Sequence, residues 1–156
     1  MSIKNELETK IPPPLLGFVA ALVMWLLSQL LPTLTMVSSN LYRVGIALML
    51  AGLSLDLIAL RQFLKNNTTI NPTAPEKAST IVVTGLYRYT RNPMYLGLLI
   101  ALTGWGLYLG NLASLACLPL FVRVLTQIQI LPEERILREK FGESYEDYLL
   151  RVRRWI

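Results

Sequence analysis

Residues 91–130 read RNPMYLGLLIALTGWGLYLGNLASLACLPLFVRVLTQIQI, two apolar runs, 94–109 and 112–130, broken by Gly110 and Asn111 and led in by the polar pair Arg91 and Asn92. A helix crosses the hydrocarbon layer with about 20 apolar residues, and with fewer where flanking side chains snorkel to the interface. The stretch therefore reads as a pair of membrane helices joined by a short turn. Upstream, 15–31 and 44–60 repeat the pattern. The four runs predict an all-α integral membrane fold, a four-helix bundle of two helical hairpins that pair 15–31 with 44–60 and 94–109 with 112–130. Composition agrees: 53% of the 156 residues are hydrophobic and mean hydropathy is +0.46, with long apolar stretches where a soluble domain would alternate with polar residues. The chain reads as one domain, 1–156, without internal repeats or low-complexity tracts.

The first run has the apolar character of a signal sequence. Glu6 and Glu8 spoil a basic leading region, and Leu-Pro-Thr-Leu-Thr-Met after it lacks a small-x-small cleavage site, so it is expected to remain as a helix. Lys4 and Lys10 precede it, Arg61, Lys65, Lys77, Arg88 and Arg91 lie between the second and third runs, and many basic residues follow the fourth. The opposite loops, 32–40 and 110–111, carry no charge, and Arg43 is the single basic residue on that side. The excess of Lys and Arg predicts a multi-pass protein with both termini cytoplasmic. The net charge of +5 then gathers on one face, where anionic head groups are its simplest partners and nucleic acid has little support.

With no His in the chain and a single Cys, Cys117, inside the fourth run, zinc, disulfide and Cys-His sites and a Ser-His-Asp triad are excluded, and no metal is expected. Any general base must be Glu, Asp, Tyr, Lys or water. Cys117 is read as a packing residue.

The one long polar stretch is the connection 65–91. Its first half, KNNTTINPTAPEKAST, is turn-rich, whereas Thr80, Ile81, Val82 and Val83 are mostly β-branched and would be extended before Gly85 turns the chain. A loop longer than about 12–15 residues is usually functional or disordered, and this mixture predicts an ordered cytoplasmic cap. It ends in GLYRYTRNPMYLG, residues 85–97. Asn92 suits an N-cap and Pro93 the first helical position, which places the free N–H groups and positive dipole end of the third helix at the interface, ready for a carboxylate or phosphate. Any helical turn would gather Tyr87, Arg88 and Arg91 on one side. The cluster fits an interfacial aromatic-and-basic belt and a ligand site equally well at this point. Gly97, Ala101 and Gly104, with Gly106 beyond, strip one face of side chains, as close helix packing requires; a gap for a ligand chain is the sharper alternative.

Arg123, Gln127 and Gln129 fall in the inner half of the fourth run, which leads into Pro132-Glu133-Glu134. Such groups normally face the bundle interior or a water-filled cavity. Helical arithmetic puts Arg123, Gln127 and Glu134 on one face and Gln129 with Glu133 on another, and Pro132 is expected to kink the helix. Asp56 reads as a snorkelled side chain or a partner of Arg61, with no assigned role. ERILREKFGESYEDYLLRVRRW, residues 134–155, is amphipathic. Gly142 should end one short helix, Ser144 with Asp147 resembles a capping box for the next, and Ile136, Leu137, Phe141, Tyr145, Tyr148, Leu149 and Trp155 form the apolar side. Interfacial helices over 133–155 that cover the polar site are the expected arrangement.

Taken together, GLYRYTRNPMYLG and, one helix later, EERILREKFGESYEDYLLRVRRW resemble the isoprenylcysteine carboxyl methyltransferase and phospholipid methyltransferase superfamily, with its R-H-P-x-Y-x-G, hydrophobic stretch and E-E. The resemblance spans 80–155. It implies an integral membrane enzyme that transfers a methyl group from S-adenosyl-L-methionine, leaving S-adenosyl-L-homocysteine, to a lipophilic small-molecule or lipid acceptor at the cytoplasmic interface. It further implies that Tyr87, Asn92, Pro93, Met94 and Tyr95 lie in the cofactor pocket, that Thr80, Ile81 and Val82 line the adenosine side and that Glu133 contacts the cofactor, with Arg91 beside them. The catalytic candidates are Gln129, Glu134 and Arg123. Two positions depart from the pattern. Asn92 stands where the family has His and cannot titrate, and Gln129 stands where the prenylcysteine branch has an Arg suited to a carboxylate, for which Arg123 is the alternative. These departures support a rival reading, a non-catalytic membrane scaffold or lipid-binding subunit that kept the fold. A reductase related to the membrane sterol reductases lacks a dinucleotide fingerprint here.

Overall fold

In lipid the hydrophobic effect does not distinguish one apolar face from another, so helices associate where small residues let backbones meet. The computed structural model, which describes residues 11–35, 38–65 and 79–156, shows this directly. The helices are α1 (Pro13–Leu30), α2 (Ser39–Lys65), α3 (Pro93–Leu109), α4 (Leu112–Leu125), α5 (Leu131–Phe141) and α6 (Glu143–Arg151), with 3-10 turns at Pro32–Leu34 and Gly85–Arg88 and a π turn at Thr126–Ile130. Among the described residues no strand forms beyond one bridge between Thr35 and Asn111. The buried positions of α1 are Pro13, Gly17, Met24 and Ser28, and those of α2 are Gly45, Gly52 and Ala59, while Phe18, Leu30, Leu50 and Leu64 point outward. Small residues inside and large apolar ones outside is the pattern of a protein whose solvent is lipid.

Among the described residues three helices are long and apolar enough to cross a membrane: α1, α2 and the continuous rod Leu112–Phe141. The fourth apolar helix, α3, has 17 residues and is shorter than these. The second helix also runs well past the expected 44–60 at both ends.

The packing order corrects the first of the two expected hairpins, while α3 and α4 do pack on each other. α2 lies along α3 as its main neighbour, although the long connection separates them, and α1 packs on α4 and α3 rather than forming a unit with α2. Glycine decides this. A Cβ on Gly45 would stand 2.7 Å from the Gly104 carbonyl oxygen and the Tyr108 nitrogen, and one on Gly104 would stand 2.5 Å from the Gly45 oxygen. Gly52 and Gly97 face each other in the same way, so the small-residue face of α3 is a helix seam. Gly106 instead admits Met24 and Leu115 on the other side. The charge-free end is tied by Asn111, which accepts from Ser114 N–H (3.2 Å) as the N-cap of α4 and donates to Leu31 O (2.9 Å) and Thr35 Oγ1 (3.1 Å). Ser114 Oγ–H to Met24 O (2.6 Å) and Trp105 Nε1–H to Ala21 O (3.0 Å) fix α4 and α3 to α1.

Just ahead of Pro132 the helix widens into the π turn, with Leu131 N–H reaching Thr126 O, which moves backbone out of the proline ring's way. Gly142 (φ 53°) ends α5 as expected. The next helix starts at Glu143 with Gly142 at its N-cap, so Ser144 is already helical and the capping box does not form. The segment 79–84 carries no regular structure before Gly85 (φ 62°) turns the chain. The rest of the expected cap, 66–78, lies outside the described residues, as does 1–10 with its Lys and Glu.

Candidate functional site

The N-terminus of α3 is the centre of the site. Pro93 takes the first helical position, as its missing N–H and fixed φ favour, but Asn92 makes no side-chain cap. Its Nδ2–H donates to Arg154 O (3.0 Å), and Thr90 Oγ1 accepts from Asn92 N–H (3.2 Å). Thr90 Oγ1–H also donates to Arg154 O (3.2 Å), and Arg91 N–H to Arg153 O (3.0 Å). The C-terminal tail is thus laced beneath the start of α3, and the helix N–H groups that a cap would take are left for another acceptor.

Two adjacent carboxylates do different work. Glu134 is buried and receives Arg154 as a fork, Nε–H to Oε1 at 2.9 Å and Nη2–H to Oε2 at 2.8 Å, with Arg91 Nη2 at 3.0 Å. That pairing holds the Arg154 guanidinium above its usual pKa. Glu133 faces α3 instead, and its Oε1 accepts from Tyr95 Oη–H (2.6 Å) and Gln129 Nε2–H (2.6 Å). Both bonds land on one oxygen, so among the described residues Oε2 keeps its lone pairs. Above them, α6 buries Tyr145, Tyr148 and Val152 against Ile81, Leu137 and Phe141, and Tyr148 Oη–H donates to Tyr87 O (2.8 Å). Burial raises the pKa of the Tyr87, Tyr145 and Tyr148 phenols, which therefore remain neutral donors.

These elements enclose a cavity of about 540 Å³, within the range of small-molecule sites. All ten residues expected in the cofactor pocket border it: Thr80, Ile81, Val82, Tyr87, Arg91, Asn92, Pro93, Met94, Tyr95 and Glu133, and so does Glu134. The other catalytic candidates stand elsewhere. Gln129 is buried behind Glu133, holding its carboxylate. Arg123 is exposed beside a shallow depression with Leu120 and Gln127, because the π turn rotates the helix between it and Glu134 and cancels the expected common face. Arg88 points outward rather than joining Tyr87 and Arg91. Sequence reasoning left out Asp56, Leu53, Leu57 and Leu98, which line the cavity's apolar side, and gave Tyr145 and Tyr148 only an apolar role. The i, i+3 spacing of the two tyrosines was the available signal. Asp56 gave none, and it neither snorkels nor pairs with Arg61; its Oδ1 is shielded from solvent beside Gly97.

A buried carboxylate held by an aromatic hydroxyl at an uncapped helix start, open to an apolar pocket between apolar helices, is an arrangement suited to an amphiphilic ligand. Residues 40–144 match the phospholipid methyltransferase family, and the chain belongs to it. It is 44% identical to an uncharacterised protein of Haemophilus influenzae over 63 residues, 40% of this chain and the whole of that protein. It is also 29% identical to the protein-S-isoprenylcysteine O-methyltransferase of Schizosaccharomyces pombe over 108 residues, 64% of this chain and 46% of that enzyme. No solved structure matches the chain.

Proposed function

We propose that the protein transfers a methyl group from S-adenosyl-L-methionine to a lipophilic acceptor at the cytoplasmic face of the membrane. The observation that carries this reading is the single cavity whose polar end is the α3 N-terminus with Arg91, Glu133 and Glu134 and whose other end is the apolar wall of α2 and α3. The residues present fit the cofactor's groups. Glu133 has an oxygen free for an ammonium, Arg91 Nε is buried and unpartnered among the described residues, and Met94 and Tyr95 offer backbone N–H groups to a carboxylate. Ile81 and Val82 supply an apolar side for an adenine ring, and Tyr87 supplies an aromatic face.

When bound, the donor supplies a methyl group on a positively charged sulfur, which a nucleophile displaces in line. The chain's own part is alignment and exclusion of water. Glu133 orients through Tyr95 and Gln129, α6 closes the top of the cavity, and the apolar wall strips water from the acceptor. Lys and Arg distribution supports a cytoplasmic position for this end.

Calorimetric titration of detergent-purified protein with S-adenosylhomocysteine tests the reading. Heat at micromolar to millimolar ligand is expected, and Glu133→Gln and Tyr95→Phe should each weaken binding about tenfold, while Arg123→Ala leaves it unchanged. No heat from folded protein at millimolar ligand sinks the cofactor assignment. Binding without label transfer to any extracted lipid would favour the scaffold reading.

A further inference from the structure

One charged side chain stands on the outer face of the rod Leu112–Phe141 with nothing to balance it. Arg123 follows the start of that rod by about 16 Å along the axis, close to the middle of a hydrocarbon layer about 30 Å thick. It is exposed, and its guanidinium has no hydrogen-bond or ion-pair partner among the described residues. Beside it lies a depression of about 400 Å³ formed with Leu120, Val124, Gln127 and Ile128, which shares no lining residue with the cavity under α6. A cation exposed at that depth is costly, and it persists where snorkelling or an anion relieves it. The π turn adds a second cation. The extra residue that it takes up carries Glu134 away from the Arg123 face and brings exposed Arg135 onto it, about 16 Å further along and at head-group level.

We propose that this face of the rod binds an anionic phospholipid, with Arg123 and Arg135 drawn to its phosphate from either side and an acyl chain lying along Leu120 and Val124. The lipid is a bound neighbour, not the methyl acceptor, and the proposal does not rest on the methyl-transfer reading. Charge selects this occupant. A second copy of the chain docked here offers no carboxylate, because the described acids nearest that depth, Asp56, Glu133 and Glu134, border the cavity instead. Free phosphate does not enter hydrocarbon so far. An anionic lipid brings a phosphate whose oxygens match a guanidinium fork, and a chain as apolar as the residues that flank it. The shortness of α3 helps. Packed on α4, it spans only about 25 Å, and a bilayer thinned to match it brings head groups closer to Arg123.

Detergent-purified protein mixed with phosphatidylglycerol or with phosphatidylcholine of the same acyl chains tests this, the lipid retained on the intact protein being measured by native mass spectrometry. The wild type should retain phosphatidylglycerol about fivefold better, and Arg123→Gln should bring the two lipids to within about twofold of each other. Arg43→Gln is the control. It removes an exposed arginine at the opposite end and should leave the wild-type preference within about twofold. Equal retention of both lipids by the wild type overturns the proposal. So does a preference unchanged in folded Arg123→Gln, because the basic tail then holds the lipid. A wild-type dimer that Arg123→Gln dissolves also overturns it, since a second copy then covers the face, and a co-purifying polypeptide lost from that variant does the same. Val124→Trp keeps the charge and fills the depression from an exposed position, so it serves even if Arg123→Gln does not fold. Phosphatidylglycerol retention should drop about threefold in it, and retention unchanged in the folded variant overturns the site.

Discussion

Glu134 gathers two guanidinium groups from opposite ends of the site, Arg91 ahead of α3 and Arg154 in the tail, and so fixes the C-terminal tail against the start of α3. Glu134→Ala leaves both cations without their shared partner in a partly desolvated place. We expect a loss of about 2–3 kcal/mol, read as a lower unfolding midpoint, and faster hydrogen exchange at the Arg91 amide, whose acceptor is Arg153 O. Arg154→Lys should recover only part of it, because an ammonium cannot reproduce the fork that now spans Oε1 and Oε2. The tyrosines add a dependence on pH. The folded state holds the Tyr145 and Tyr148 protons more tightly than the unfolded chain, so stability is complete below the ordinary phenol value near 10 and falls as pH rises above it. Unfolding midpoints measured between about pH 9 and pH 11.5 should decline through the upper half of that range. Tyr145→Phe should flatten the decline. The resemblance supplied Glu133, but the work of Glu134 was hidden in sequence, since its partner stands far along the chain and nothing local marks Arg154 among its arginine neighbours.

Helices α2 and α3 show what apolar patterning can and cannot give. Run length and the Gly97, Ala101, Gly104 spacing announced helices and a close seam. The identity of the partner was not legible, because glycines at 45 and 52 fit any neighbour until the chain is folded. The seam predicts that Gly52→Ala is harmful. Its Cβ would meet the Gly97 carbonyl and the Ala101 nitrogen, which are backbone and cannot yield without parting the helices. A loss of about 1–3 kcal/mol is expected, together with reduced ligand binding, since Asp56 and Gly97 shift with the seam. Gly17→Ala is the contrasting case. The nearest atom there is Leu98 Cδ1 at 2.5 Å, the far end of a side chain that can change rotamer, and a change within about 1 kcal/mol is expected. Chemical denaturation of both variants in the same detergent checks the difference. The π turn at Thr126–Ile130 explains one failure of helical arithmetic, because a single wide turn sends Arg123 to the surface while Glu134 enters the site.

At the scale of the whole molecule, the tightly built, uncharged loop around Asn111 and the cavity beneath α6 lie at opposite ends of the same helices. The first is closed by neutral hydrogen bonds to Leu31 and Thr35, and the second has Arg91 on its wall, with Arg154 bonded to Glu134 beside it. Charge asymmetry of this kind orients a protein during insertion, and it also suits the proposed chemistry, in which a soluble charged donor would enter from the charged end and an apolar acceptor from the bilayer. Orientation is therefore part of the functional argument, and it can be tested with cysteines. In a Cys117→Ser background, Asn40→Cys places a thiol at the start of α2 and Glu143→Cys places one at the start of α6, both at exposed positions. A membrane-impermeant maleimide added to intact cells should label Asn40→Cys and spare Glu143→Cys, which should react only after permeabilisation. The reverse pattern would put the cavity on the outer face, away from cytoplasmic S-adenosylmethionine, and the proposed reaction would fall with it.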